Sequence, residues 1–266
     1  YGWTHGARKV HREQLPYEGE IAGKANLCLA RREVESVQIV LRAKQKVENV
    51  QLRVGELKNL SSGQVFPPEQ IETMLVGYVK TLPTPYRVEP VTWRPDPLLS
   101  FMQTFDLDSD VWQPVWIDVT ATADTPPGEY QGSITVTGKG VPELNVPFTV
   151  KVWDFELPLQ ATQPQLISFK SDGDMIPFID EVYDTNNPDF QAFCRWKEGK
   201  SNELSAGAQR YRDLEIEMES LLLRHRVTPS PIYNNNRPLM VEDAQRWLAA
   251  GGNTLNNKVT GGKDVF

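Results

Sequence analysis

Between Val111 and Pro158, apolar and polar residues alternate so regularly that the backbone has few options. Val115, Ile117 and Val119 share one face of an extended chain, and Trp116, Asp118 and Thr120 share the other. The pattern returns at Ile134/Val136 and at Phe148/Val150/Val152. A period of two is the signature of half-buried antiparallel strands. The segment Asp124-Thr125-Pro126-Pro127-Gly128 supplies fixed φ at the prolines and a permissive glycine, which makes it a turn between strands. Three strands with this pattern form the last part of a β-sandwich, and the proline at 158 closes it.

The preceding residues extend the same theme. Val37/Ile39/Leu41, Val50/Leu52/Val54 and Met74/Val76/Tyr78 alternate with their neighbours and are separated by Gly, Asn, Ser and Pro. Many short strands without helical periodicity imply an antiparallel sandwich. Pro83, Pro85, Pro90, Pro95 and Pro97 predict an extended surface loop over Leu82–Pro97. Cys28, within Leu27-Cys28-Leu29, is expected to be a buried small hydrophobe.

After Pro158 the period changes. Gln165–Phe169 is a compact apolar strand, followed by a polar insertion to about Glu203. Leu204, Ala208, Tyr211, Leu214, Met218, Leu221 and Leu222 then line one side of a helix, with Ser201 or Asn202 as its cap. Val227–Tyr233 reads as a second strand. Val241–Ala250 is a shorter helix with Ala244, Trp247 and Leu248 inward, stopped at Gly251-Gly252, and Asn253–Asn256 is a third strand. Strand-helix alternation opens a parallel α/β unit. The span 161–266 falls far short of the roughly 250 residues of a closed barrel. The expected fold is therefore mixed: an antiparallel β-sandwich over 1–160, then an incomplete (β/α)₈ barrel over 161–266 holding its first three β/α units.

Composition removes several classes of function. The net charge is −7, and no basic run is longer than two residues. Such a chain offers little to neutralise a phosphate backbone, so no nucleic-acid partner is expected. No apolar stretch approaches the length of a membrane span. Two cysteines and three histidines give neither a disulfide framework nor a spaced ligand set, so no metal and no cofactor are expected. Asn59-Leu60-Ser61 matches the glycosylation acceptor pattern, a short signal of low specificity.

With the segments placed, the chain resembles glycoside hydrolase family 123, the β-N-acetylgalactosaminidases. The resemblance rests on the stretches 31–38 (RREVESVQ), 114–119 (PVWIDV), 125–130 (TPPGEY) and 152–158 (VWDFELP), extended by 223–229 (LRHRVTP) and 251–256 (GGNTLN). It implies a sandwich followed by a catalytic (β/α)₈ barrel. It also implies a retaining, substrate-assisted mechanism on 2-acetamido-2-deoxy-β-D-galactosides. There the acetamido oxygen attacks the anomeric carbon, one carboxylate orients that group, and a second serves as acid and then base. The adjacent Asp-Glu pair that does this in the family follows about the fourth barrel strand, so here it is expected beyond residue 266. Asp180-Glu181 sits elsewhere, in the polar insertion, and reads as a solvated acidic loop. The portion 1–266 alone is thus expected to be inactive, with the rest of the barrel supplied by the same or another chain. A secreted, periplasmic or cell-surface location of the mature protein is the accompanying expectation.

Active sites of barrels collect at the C-terminal ends of the strands. Phe169, Tyr233, Asn234, Asn256 and Asn257 occupy those positions, and aromatic faces with amides suit a pyranose ring and its hydroxyls. These five are the candidate glycan-binding residues. His225 precedes its strand and reads as a capping or ion-pairing residue. The competing reading is a non-catalytic carbohydrate-binding or interaction module, using stacked indoles from Trp112, Trp116 and Trp153.

Overall fold

The computed structural model describes residues 1–13, 17–83, 91–160, 162–163, 166–168, 186–230 and 239–253. The chain divides into two compact units, Tyr1–Leu157 and Pro158–Phe266.

The first unit is built from β1 (Gly2–His5), β2 (Glu20–Ile21), β3 (Ala25–Arg31), β4 (Glu33–Leu41), β5 (Val47–Val54), β6 (Lys58–Asn59), β7 (Ile71–Lys80), β8 (Trp93–Leu99), β9 (Phe105–Leu107), β10 (Gln113–Ala121), β11 (Gly128–Thr137) and β12 (Leu144–Glu156). One sheet has the order β2-β1-β4-β10-β7-β8. The other runs β3-β12-β11-β5-β9, with β6 alongside β11. Ladders are antiparallel apart from β3 beside β12, which is parallel. Ile117 and Val119 from one sheet and Ile134 and Val150 from the other are fully buried, in a single apolar layer. The alternation in sequence is thus the alternation between core and outer face.

Two features of the sandwich go beyond the pattern. Residues 122–127 do not close a hairpin, because β10 and β11 belong to different sheets and the turn crosses between them. Thr125 Oγ1 accepts from the Thr122 amide at 2.9 Å, and Tyr130 Oη donates to the Pro126 carbonyl at 2.7 Å. These bonds hold the crossing turn from inside. The N-terminal segment, meanwhile, lies over the outer face of the first sheet. Gln38 Nε2 donates to the carbonyls of Gly6 at 3.3 Å and Arg8 at 2.8 Å, and Tyr78 Oη donates to that of Val10 at 2.9 Å. Val10, Val40 and Trp112 form a small second cluster beneath it.

The proline-rich segment corrects the expectation of a loop over Leu82–Pro97. Its second half, Trp93–Leu99, is β8, paired antiparallel with β7. Pro95 and Pro97 are tolerated because β8 is an edge strand, where a missing N–H faces no partner, and the register slips between Val76 and Tyr78. Residues 84–90 lie outside those described. Cys28 is likewise corrected. On β3 the inward residues are Leu27 and Leu29, and the intervening thiol is exposed.

The second unit contains β13 (Leu166–Ser168), α1 (Pro188–Lys197), α2 (Ala206–Arg224), β14 (Thr228–Ser230) and α3 (Val241–Ala249). β13 and β14 pair in parallel, with Leu166 opposite Thr228, and α1 and α2 lie between them in sequence. Helix α1 falls within the segment expected to be a polar insertion. Asn187 caps it, accepting from the amides of Asp189 and Phe190, Pro188 opens its first turn, and Phe190, Phe193 and Trp196 bury one side. The cap of α2 is Ser205, not Ser201 or Asn202, with its side chain accepting from Ala208 N. Both α2 and α3 end in Schellman turns. Val227 N reaches the Leu222 carbonyl, with Arg226 at φ 62°, and Gly252 N reaches that of Trp247, with Gly251 at φ 93°. The third strand expected at Asn253–Asn256 lies outside the described residues beyond Asn253.

Asn59 ties the first unit together at one corner and disposes of the glycosylation pattern. Its side chain is buried, donates to the Pro127 carbonyl at 3.2 Å and accepts from the amides of Ser61 and Ser62. Gly128, at φ 139°, lies so close that an added Cβ would stand 2.5 Å from Asn59 Nδ2. Gly128→Ala should therefore cost about 1–3 kcal/mol, read as a lower urea midpoint at unchanged m-value. Expression in a glycosylating host should leave Asn59 unmodified by mass spectrometry, since no glycan fits while that amide is bonded inside the fold.

Candidate functional site

The five candidate glycan-binding residues, Phe169, Tyr233, Asn234, Asn256 and Asn257, lie outside the described residues, as do Asp180 and Glu181. What is described is the frame from which they lead. β13 ends at Ser168, directly before Phe169, and β14 ends at Ser230, shortly before Tyr233. His225 is the C-cap residue of α2, and its backbone N–H bonds carbonyls of the last turn.

The helices of this frame meet through charge as well as through apolar packing. Phe190, Phe193 and Trp196 of α1 pack on Ala208 and Tyr211 of α2, with Phe190 and Tyr211 edge to face at 5.4 Å. One turn further along α2 the buried positions become polar. Arg212, Glu215 and Glu219 point inward, while Leu214 is only half-buried and Leu221 is exposed. In α3 the inward pair is Asp243 and Trp247, and Leu248 faces out. The apolar stripes expected from periodicity are thus partly on the wrong side, because the inward positions hold an ion network.

The connections are specific. Arg212 bridges Glu215, at 2.6 Å through Nη1, and Asp243, through Nη2. Arg246 bridges Asp243, at 2.9 Å, and Glu219. Lys197 of α1 reaches Glu215, and Trp247 Nε1 donates to Glu219 Oε2 at 3.1 Å. Burial pushes the Glu219 carboxyl above its ordinary range, and the nearby Glu215 adds to the shift. Bonds from Arg246 and Trp247 oppose both effects. A perturbed buried carboxylate is also what catalytic sites display. Here, however, each carboxylate is engaged by a cation on a neighbouring helix, and none sits at a strand end. The arrangement joins helices, and it has no carboxylate placed as a base. Among the described residues, no group of three or more His, Cys, Asp or Glu is placed to hold a metal ion.

The stretches that carry the family resemblance also have structural roles. Glu33 Oε2 accepts from Ala30 N at 2.6 Å across the tight β3–β4 turn, where Arg32 adopts φ 61°. Asp118 Oδ1 accepts from Ser36 Oγ at 2.5 Å and from Trp116 Nε1 at 2.6 Å. That ties β4 to β10 beneath Gly6, whose added Cβ would meet Ser36 Cβ at 2.7 Å. Of the three indoles considered for sugar stacking, Trp112 is buried against Tyr17 and Trp116 is bonded to Asp118. Trp153 is exposed but carries Lys151 Nζ 3.6 Å from its ring centre. No open indole platform emerges from this set.

Residues 31–138 match the glycoside hydrolase 123 N-terminal domain. Among solved structures, a family 123 glycoside hydrolase from Clostridium perfringens, described in connection with glycolipid glycan hydrolysis, is similar at TM-score 0.54 and 18% identity. The match covers 64% of this chain and 30% of that one, so the chain spans under a third of that enzyme. The PapD-like domain 7 of human CEP192 is similar at TM-score 0.28 and 12% identity, over 50% of this chain and 84% of that one. A GH5 xyloglucanase from Bacteroides ovatus reaches TM-score 0.25 at 9% identity, over 56% and 19%. A search among curated proteins finds no match. Residues 31–138 therefore correspond to the N-terminal domain found in glycoside hydrolase family 123.

The ion network yields two expectations. Arg212→Met leaves Glu215 and Asp243 short of a cation and should destabilise the second unit by about 3–5 kcal/mol, followed by tryptophan fluorescence in denaturant. Glu219 titrates higher in the folded state than its ordinary 4.5. Its contribution to stability is therefore fully present below that value and is lost as pH rises through the folded-state pKa. Glu219→Gln should flatten this part of the stability profile above pH 4.5.

Proposed function

We propose that this chain is part of a retaining glycosidase that cleaves 2-acetamido-2-deoxy-β-D-galactosides, using the substrate's own acetamido oxygen as nucleophile. The observation that carries the reading is the match of residues 31–138 to the family 123 N-terminal domain, on a sandwich whose fold is similar to that of the Clostridium perfringens enzyme. In this reading β13, β14 and helices α1 to α3 open a (β/α)₈ barrel, which the parallel pairing of β13 with β14 supports. One carboxylate of an adjacent Asp-Glu pair polarises the acetamido group, and the other protonates the leaving oxygen and then activates water. The proposal assigns that pair to sequence beyond residue 266, not to Asp180-Glu181. Phe169, Tyr233, Asn234, Asn256 and Asn257 contribute part of the sugar-binding wall. A glycan presented outside the cytoplasm is the corresponding substrate, and a secreted, periplasmic or cell-surface location follows from it. The non-catalytic binding module is less well supported, because Trp112 and Trp116 are engaged within the fold and Trp153 is capped by Lys151.

The test is release of nitrophenol from the 4-nitrophenyl 2-acetamido-2-deoxy-β-galactoside. Protein extended past residue 266 to include the Asp-Glu pair should turn over, and residues 1–266 alone should not. In the active protein, Tyr233→Ala should lower kcat/KM roughly ten- to a hundredfold with little change in Tm. Turnover by residues 1–266, abolished in Glu181→Gln, would overturn the assignment of the catalytic pair.

A further inference from the structure

The sandwich is not closed along its whole length. A cleft of about 430 Å³ separates the end of β5 from the start of β7, lined by Leu52, Val54, Val65, Phe66, Ile71 and Thr73 among others. Its walls are strand edges. Gly55 N donates to Ser133 O at 2.9 Å, and Gly55 lies opposite Ser133 in the register that pairs Val54 with Ile134. In an antiparallel ladder every second residue bonds a given neighbour, so Gly55 and Arg53 bond β11 while the N–H and C=O of Leu52 and Val54 point away from it. On that side β9 pairs with β5 only as far as Val50. Across the cleft, the Val76 carbonyl accepts from Gln113 Nε2 on the β10 side. By the same alternation Thr73 turns its backbone away from β10, and β8 begins its pairing only at Leu75. Two short open edges therefore face one slot, whose lining adds Arg53, Glu56 and Gln103 to the apolar residues, with Glu56 already paired to Lys58.

The side chains around the slot specify what fits. Leu52 and Val54 face inward beside Phe66 and Ile71, so an occupant must be apolar at alternate positions. Between them Arg53 faces outward. Its guanidinium donates to Gln51 Oε1 at 3.3 Å and pairs with no carboxylate among the described residues. A sugar ring finds no aromatic platform here, because Phe66 is 1% exposed. We propose that this cleft binds an extended peptide segment of a partner protein, which adds as a strand to the open edge of β5, with aliphatic residues directed inward and a carboxylate set beside Arg53. Main-chain bonds to Leu52 and Val54 would give affinity, and the alternating pockets and the Arg53 charge would give selectivity. The edge of β5 is favoured over that of β7 because it offers two outward-turned residues, whereas the Ile71 amide is already bonded to Pro68 O. The inference does not depend on the glycosidase reading.

Backbone amide exchange of the 266-residue chain provides the test. Without a ligand, the Val54 amide should exchange faster than those of Arg53 and Gly55, which bond β11. A capped seven-residue peptide alternating valine with glutamate, with lysine at each end, should slow exchange at Leu52 and Val54 by about tenfold or more. The same peptide with lysine in place of glutamate should do so less. Arg53→Glu should reverse that preference while leaving the melting temperature close to wild type, which separates a lost site from a lost fold. Protection by chitotriose and not by peptide would make the cleft a glycan site. Equal protection by both peptides, or none by either, would also overturn the proposal.

Discussion

A strand with one apolar row must find a second surface to cover that row, and in the first unit the covering is reciprocal. The inward rows of β4, β10 and β7 lie on those of β12, β11 and β5, and removal of water from both is the main favourable term holding the two sheets together. β10 sits at the centre of its sheet, with ladders on both sides, and its inward Val115, Ile117, Val119 and Ala121 are all buried. The polar devices act on this frame and do not replace it. The Ser36–Asp118–Trp116 bonds fix the outer face of β4 against β10, and the Tyr130–Pro126 bond fixes the turn that leaves β10 for the opposite sheet.

The second unit relies on a different balance. Where the apolar cluster of α1 and α2 ends, the helices are joined by Arg212, Arg246 and Lys197 interleaved with Glu215, Glu219 and Asp243. A buried ion network returns little net stability, since each group must first lose its water. It does discriminate, because a helix shifted by one turn would strand charges that the present register pairs. That helps explain how helices with modest apolar stripes can hold a defined arrangement. It also explains why a perturbed carboxylate in this frame is a poor guide to catalysis.

The sandwich strands were legible because a period of two survives wherever one face of a sheet is buried, as at Ile117, Ile134 and Val150. The candidate site was legible only by analogy. Tyr233 and Asn256 qualify only by their expected place at strand ends, and no local pattern of residues marks a pocket there. Helix α1 does carry a local signal: Asn187 followed by Pro188, then aromatics at 190, 193 and 196. The ion network had none that periodicity detects, because Arg212, Glu215 and Glu219 look like an exposed helical face in sequence. The cleft beside β5 was equally hidden, since it exists only because β9 and β8 stop pairing where they do.

By itself, then, the sequence determined most of the extended segments, the inward rows of β4, β5, β10, β11 and β12, and where sandwich gives way to helix, since these follow from local periodicity, proline and glycine; in β7 the row that meets the core includes Ile71 and Leu75 and not Met74 and Val76. It could not determine that β10 and β11 lie in different sheets, that Pro95 and Pro97 sit in an edge strand, or that Cys28 faces water. Nor could it determine that charged residues of α2 point inward. Those outcomes depend on which segments, distant along the chain, become neighbours. Burial and pairing belong to a pair of surfaces, and only the tertiary structure brings the second surface into place.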